Sequence, residues 1–159
     1  MKIGVIRETF AGEKRVAATP EVAAKLVSKG FDLIVEQGAG EPSHFHDPQY
    51  VEAGAQLVDR GEALAADLVL SVRKPTAEIV QGLREKAILI SHLEDCEDDG
   101  TINRLLDKHI VTFGMERIPR ISRAQSMDAL SSQSNIAGYR AVIEAAVQYG
   151  RFLPLMMTS

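Results

Sequence analysis

The sequence predicts an α/β domain with a mainly parallel sheet of about five strands and helices on both faces. Two observations carry that expectation. Short β-branched apolar runs alternate with stretches of helical period, as βα units require. The joints between them carry cap-and-proline starts such as Thr19-Pro20, and glycines where helices should end, such as Gly30. A third observation is bulk: 159 residues, 45% hydrophobic and 25% charged, suffice for one sizeable core, so one domain is expected.

Taken in order, residues 2–6 read as the first strand. A helix follows, with Thr19 as its N-cap, Pro20 in its first position and Gly30 beyond its end. Residues 31–36 form the second strand, and a loop with Gly38, Gly40 and Pro42 leads to a short helix started by Asp47 and Pro48 and ending near Gly54. Residues 55–58 make a short strand, 62–66 a helix, 68–72 a strand, 76–84 a helix capped by Thr76, and 87–91 a strand. An acidic turn through Gly100 leads to a helix over 101–108 and a strand over 110–114. Residues 116–133 are polar and lack a clear period until a helix begins near Ser134. In that helix Ile136, Tyr139, Val142, Ile143, Ala146 and Val147 recur at three- and four-residue steps up to Gly150. The apolar tail 152–157 ends abruptly, so the chain is expected to continue.

Composition excludes several function classes. A net charge of -4 without a basic cluster gives no electrostatic surface for nucleic acid or anionic lipid. The longest apolar runs, 87–90 and 65–70 with Asp67 inside it, are too short to span a bilayer. The opening MKIGVIRETF turns polar too early for a secretory signal, so a cytoplasmic location is expected. Cys96 sits among Glu94, Asp95, Glu97, Asp98 and Asp99, whose charges disfavour its thiolate and make it a spectator.

The stretch 120–133 is the first candidate site. It follows a strand and precedes a helix, the position where ligands collect in open α/β sheets. A guanidinium, an amide, a carboxylate and hydroxyls within it supply donors and acceptors suited to orienting a carboxamide-bearing ring. The same stretch also reads as a solvated loop in which Ser126 or Asp128 caps the next helix, and spacing alone does not choose between them. Lys14 and Arg15 after the first strand, and Arg73 and Lys74 after the strand at 68–72, are cations that could face a phosphate or carboxylate, or pair on the surface. His44 and His46 lack a third partner in sequence and read as loop residues rather than metal ligands, and His92 stands at a strand end as a possible acid or base. Gly38-Ala39-Gly40 begins like a dinucleotide fingerprint, but Ser43 and Pro42 break it, so an ordinary Rossmann NAD site is not expected within this chain.

Three blocks occur in order: MKIGVIRETFAGEKRVAATP, then VEQGAGEPSHFHD with YVEAGAQLV, then PRISRAQSMDALSSQSNIAGYRAV. They resemble the N-terminal part of the alanine dehydrogenase and transhydrogenase family over almost the whole chain, and the third block resembles the transhydrogenase branch. The resemblance implies a flavodoxin-like or Rossmann-like three-layer fold, with residues 1–159 as the front domain of an NAD(H)-handling portion cut before its dinucleotide-binding domain. It implies hydride transfer between NAD(H) here and NADP(H) on a partner component, coupled to proton translocation in the intact enzyme, with the fragment alone inactive. It further implies a homodimer, located in the cytoplasm at the inner membrane through a membrane-embedded component. On this reading Gln125 and Ser131 orient the nicotinamide and its ribose, Asp128 meets the carboxamide, and Arg120 holds Asp128 and the ring. The other branch is the alternative: an alanine dehydrogenase front domain, with Arg15 and Arg73 binding the keto acid and His92 as the histidine. A third reading is an interaction module that does no chemistry of its own.

Overall fold

The computed structural model describes residues 1–94 and 99–151. Cys96 and the apolar tail 152–157 lie outside the described residues. The chain forms two compact units, Met1–Arg117 and Ile118–Ser159.

The first unit is a six-stranded sheet of β1 (Lys2–Val5), β2 (Asp32–Glu36), β3 (Gln56–Val58), β4 (Leu68–Leu70), β5 (Ile88–Ser91) and β6 (Val111–Gly114). Their order is β3-β2-β1-β4-β5-β6, and every neighbouring pair is parallel. Of the two families of order the sequence left open, this is the Rossmann one, which turns direction between β1 and β4. All six runs marked as strands in the sequence enter this one sheet, against the five or so expected of it. The three residues of β3 are enough to pair Ile34 with Gln56, Val35 with Leu57 and Glu36 with Val58, extending the edge.

Helices cover both faces, because alternate residues of each strand point to opposite sides. Ile3, Val5, Leu33 and Val35 join Ala23 of α1 (Pro20–Ser28) and Tyr50 of α2 (Asp47–Glu52) in one core. Ile6, Ile34, Val69 and Leu89 join residues of α3 (Arg60–Leu64), α4 (Ala77–Gly82) and α5 (Thr101–Asp107) in the other. Tyr50 is fully buried and donates its hydroxyl to the Ala18 carbonyl at 2.9 Å; burial pushes its phenol up to about 12.

Caps set the helix boundaries. Thr19 Oγ1 accepts from Val22 N at 3.4 Å and Thr76 Oγ1 from Ile79 N at 3.3 Å, as their positions before the helices predict. Asp59 Oδ1 accepts from Glu62 N at 2.8 Å, which starts α3 two residues earlier than the apolar pattern suggests. At α2 the cap is His46 rather than Asp47: His46 N donates to Gln49 Oε1 at 2.7 Å, while the Asp47 carboxylate accepts from Gly38 N at 2.9 Å across the loop.

In the second unit, residues expected to be irregular form a 3₁₀ segment, Ser122–Met127, and the first turns of α6 (Ala129–Tyr149). The helix starts five residues before Ser134 because Asp128 caps it, accepting from Leu130 N at 3.0 Å. It ends where expected, at Gly150 with φ 64°, a left-handed C-cap that glycine adopts at little cost. Leu130, Ile136, Tyr139, Val142 and Val147 are all more than half exposed along it.

Candidate functional site

The second unit holds a cleft of about 440 Å³ where the 3₁₀ segment meets the first turns of α6. All four residues singled out in that stretch, Arg120, Gln125, Asp128 and Ser131, line it. Two kinds of local structure bring them together. The 3₁₀ segment, pinned by Ala124 N to Ile121 O at 2.9 Å, turns Gln125 toward the helix start, and its carbonyl accepts from Asp128 N at 3.3 Å. Asp128 and Ser131 are one helical turn apart, which sets them side by side.

Asp128 is the centre of the cleft's electrostatics. Ser131 Oγ donates to Asp128 Oδ2 at 2.5 Å while Leu130 N donates to Oδ1, so both oxygens are engaged and each retains acceptor capacity. The Ser131 hydroxyl, the backbone donors of Ser131 and Leu130, and the Arg120 charge all hold its carboxyl below the usual range. At neutral pH it is an anion and accepts only. The capping role that the sequence left open for Asp128 is realised, and it is the capping geometry that aims the carboxylate into the cleft. Of the other lining residues, Ile121, Ser122 and Leu130 fall within the marked stretch without having been singled out, and Ser134 lies just beyond it. Ser134 was findable, since it lies one turn beyond Ser131 on the same helix face. The two apolar residues carried no signal apart from their neighbours. Together the lining offers one carboxylate, one guanidinium, one amide, three hydroxyls and two aliphatic side chains, a set that fits a flat ring bearing a carboxamide.

The cations of the alternative reading lie in the first unit, at the carboxyl ends of β1 and β4. Arg15 is held by Glu13 in a parallel pair of bonds, Nε to Oε1 at 2.8 Å and Nη2 to Oε2 at 2.6 Å. The arginine holds the Glu13 carboxyl down at about 2. Arg73 stands with its guanidinium carbon 4.4 Å from the centre of the Phe10 ring and pairs with Glu94 at 3.2 Å. Lys74 pairs with Asp99 at 3.0 Å, and His92 Nδ1 lies 3.6 Å from Glu116 Oε2. Each of these groups therefore has a carboxylate beside it.

The fold's customary dinucleotide positions are also engaged internally. Glu36 ends β2, where a Rossmann domain presents an acidic residue to a ribose. Here it is almost buried, accepting from Arg7 N at 2.8 Å and from Arg60 Nη1 at 3.0 Å. Among the described residues no helix is long and apolar enough to cross a membrane.

Residues 4–137 match the family model described as "Alanine dehydrogenase/PNT, N-terminal domain". The NAD(P) transhydrogenase subunit alpha of Haemophilus influenzae is 42% identical over 159 residues, covering all of this chain and 31% of that protein. The crystal structure of transhydrogenase from Sinorhizobium meliloti superposes with a TM-score of 0.93 at 43% identity, covering all of this chain and 48% of that one. Alanine dehydrogenase 2 of Staphylococcus aureus is 31% identical over 139 residues, covering 87% of this chain and 37% of that protein. The chain thus spans less than half the length of these relatives.

Proposed function

We propose, for a chain that belongs to the family of alanine dehydrogenase/PNT N-terminal domains, that it serves as the front portion of an NAD(P) transhydrogenase alpha subunit. In that role its 120–131 cleft orients the nicotinamide of NAD(H) for hydride transfer to NADP(H) on a partner component. The observation that carries the reading is that Arg120, Gln125, Asp128 and Ser131 line a single cleft. Alignment over the whole of this chain with proteins named as transhydrogenase alpha subunits supports it.

The chemistry supplied by the bound nucleotide is hydride donation or acceptance at the ring. The chain's own residues bind and orient. Asp128, kept ionised, accepts N–H from a carboxamide; the Gln125 amide both donates and accepts; Ser131 fixes Asp128; Arg120 adds positive charge at the rim. Ile121 and Leu130 offer aliphatic surface to a ring face and exclude water from it. Direct ring-to-ring transfer releases no proton at the reacting carbon, so orientation and dryness matter more than an acid or base. Proton coupling, a homodimer and a cytoplasmic position beside a membrane-embedded component belong to the same proposal. So do the dinucleotide-binding domain beyond this chain and the inactivity of the chain by itself.

The test is hydride transfer from NADH to an NADP analogue by the longer polypeptide with its partner components, in wild type, Gln125→Ala and Asp128→Ala. Each substitution is expected to lower the rate by about tenfold to a hundredfold with the fold retained, the scale of a lost orienting contact. Unchanged transfer in both variants, or alanine-dependent NAD reduction instead, would remove the assignment.

A further inference from the structure

We infer that Ser134 is a further ligand-binding residue of the cleft in the second unit, and that its hydroxyl takes a hydroxyl of the ribose attached to the nicotinamide. The inference rests on the nicotinamide reading of that cleft and adds the sugar, which the roles of Asp128, Gln125, Ser131 and Arg120 leave without a partner.

Three hydroxyls line the cleft, those of Ser122, Ser131 and Ser134, and they are not equivalent. A serine hydroxyl carries one proton to donate and two lone pairs to accept with. Ser131 spends its proton on Asp128 Oδ2 at 2.5 Å, so toward a ligand it can only accept. Ser132, next along α6 and outside the lining, spends its proton on the Ala129 carbonyl at 3.0 Å. Ser122 and Ser134 make no such bond among the described residues, and both are exposed. They are the two cleft hydroxyls that can donate and accept at once, which suits a sugar hydroxyl that does the same.

Position separates the two. Ser122 begins the 3₁₀ segment two residues after Arg120, whose charge acts on Asp128, so it stands at the end of the cleft that meets the carboxamide. Ser134 lies six residues beyond Asp128 on α6, about 9 Å along the axis at 1.5 Å per residue. Leu130 comes between them, four residues before Ser134 and therefore on the same helix face. Helical side chains lean toward the N-terminus, which carries the Ser134 hydroxyl over Leu130 and into the cleft it lines. A nicotinamide ring bears its carboxamide on C3 and its ribose on N1. With the carboxamide on Asp128 and the ring face on Leu130, the sugar follows along the helix at Ser134.

The test titrates the longer polypeptide, without its partner components, with NADH and with the NADH analogue whose nicotinamide ribose lacks both hydroxyls, read by dihydronicotinamide fluorescence. Wild type is compared with Ser134→Ala, Ser134→Thr and Ser122→Ala. Alanine is a better helix former than serine, so Ser134→Ala keeps α6. It is expected to bind NADH about fivefold more weakly, the scale of one hydrogen bond between neutral groups, and the analogue as wild type does. Ser134→Thr, which retains a hydroxyl, should restore NADH affinity. In hydride transfer with the partner components the loss should appear in KM more than in kcat, as for a contact held before and during the transfer. Unchanged NADH affinity in Ser134→Ala, an equal loss for the analogue, or a loss found with Ser122→Ala instead would overturn the inference and leave the nicotinamide reading standing. Absence of NADH binding by wild type would remove both.

Discussion

Asp128 illustrates how one carboxylate serves stability and a site together. Its N-cap bond to Leu130 N begins α6, and the same placement turns its other oxygen to Ser131 and the cleft. The cap was one of the readings the sequence offered, since an aspartate ahead of a helical run can accept from the first free amides. The grip of Ser131 was not, since i to i+3 spacing permits the contact without requiring it. Glu13 is a second case. Its pairing with Arg15 spans two residues, yet the sequence left Arg15 open to an external anion, because only the folded loop shows which way the glutamate turns. The pair makes a pH prediction. The Glu13 carboxyl is held at about 2, below its ordinary 4.5, so it stabilises the fold above the ordinary value and loses that contribution as pH falls from about 4.5 to 2. The neighbouring Glu8 is raised by burial and works in the opposite direction, so the effect must be read as a difference between variants. Glu13→Gln should cost about 1 kcal/mol near pH 7, after allowance for solvent screening, and almost nothing near pH 2. Denaturant melts across that range check it; a cost that stays constant to pH 2 would contradict it.

At the scale of elements, Gly4 explains how closely α3 sits on the sheet. A Cβ at this position would lie 2.1 Å from the Ala63 carbonyl oxygen and 3.0 Å from the Ala66 Cβ. Glycine inside a strand marks such an approach, but the sequence names neither the helix nor the atom. Gly4→Ala is expected to destabilise the unit by about 3 kcal/mol or more, because backbone rather than a flexible side chain must yield. A melt within about 1 kcal/mol of wild type, on the scale of ordinary surface changes, would mean that α3 can shift at little cost. The element boundaries follow the same division. Thr19, Thr76 and Gly150 could be read in place because their action is local. Lys108 could not: its ammonium donates to the carbonyls of Val80, Gln81 and Leu83 at 3.2, 2.6 and 2.7 Å, closing the end of α4 from α5.

On the scale of the molecule, the face of the sheet that begins as core at Ile3 and Val5 continues through Leu68 and Leu70 to Ile88 and Ile90, and then to Val111 and Phe113 by the strand register. Exposure rises along that path, reaching 53% at Val111 and 57% at Phe113. An apolar strip of this kind binds hydrophobic dyes and favours association. The double change Val111→Thr with Phe113→Thr should reduce dye fluorescence by about half and weaken concentration-dependent association, while β-branched threonine preserves the strand. Unchanged fluorescence would locate the accessible apolar surface elsewhere, with the exposed residues of α6 as the next place to look. The sequence by itself determined the α/β class, the six strand positions, most caps, and the segment in which the polar cleft residues gather. It could do so because period, propensity and capping act within a few residues of one another. Tertiary structure decided the Rossmann order of the strands, the meeting of Arg73 with Phe10 and Glu94, and which half of the sheet stays exposed. Those depend on contacts between residues distant in the chain, which no local pattern encodes.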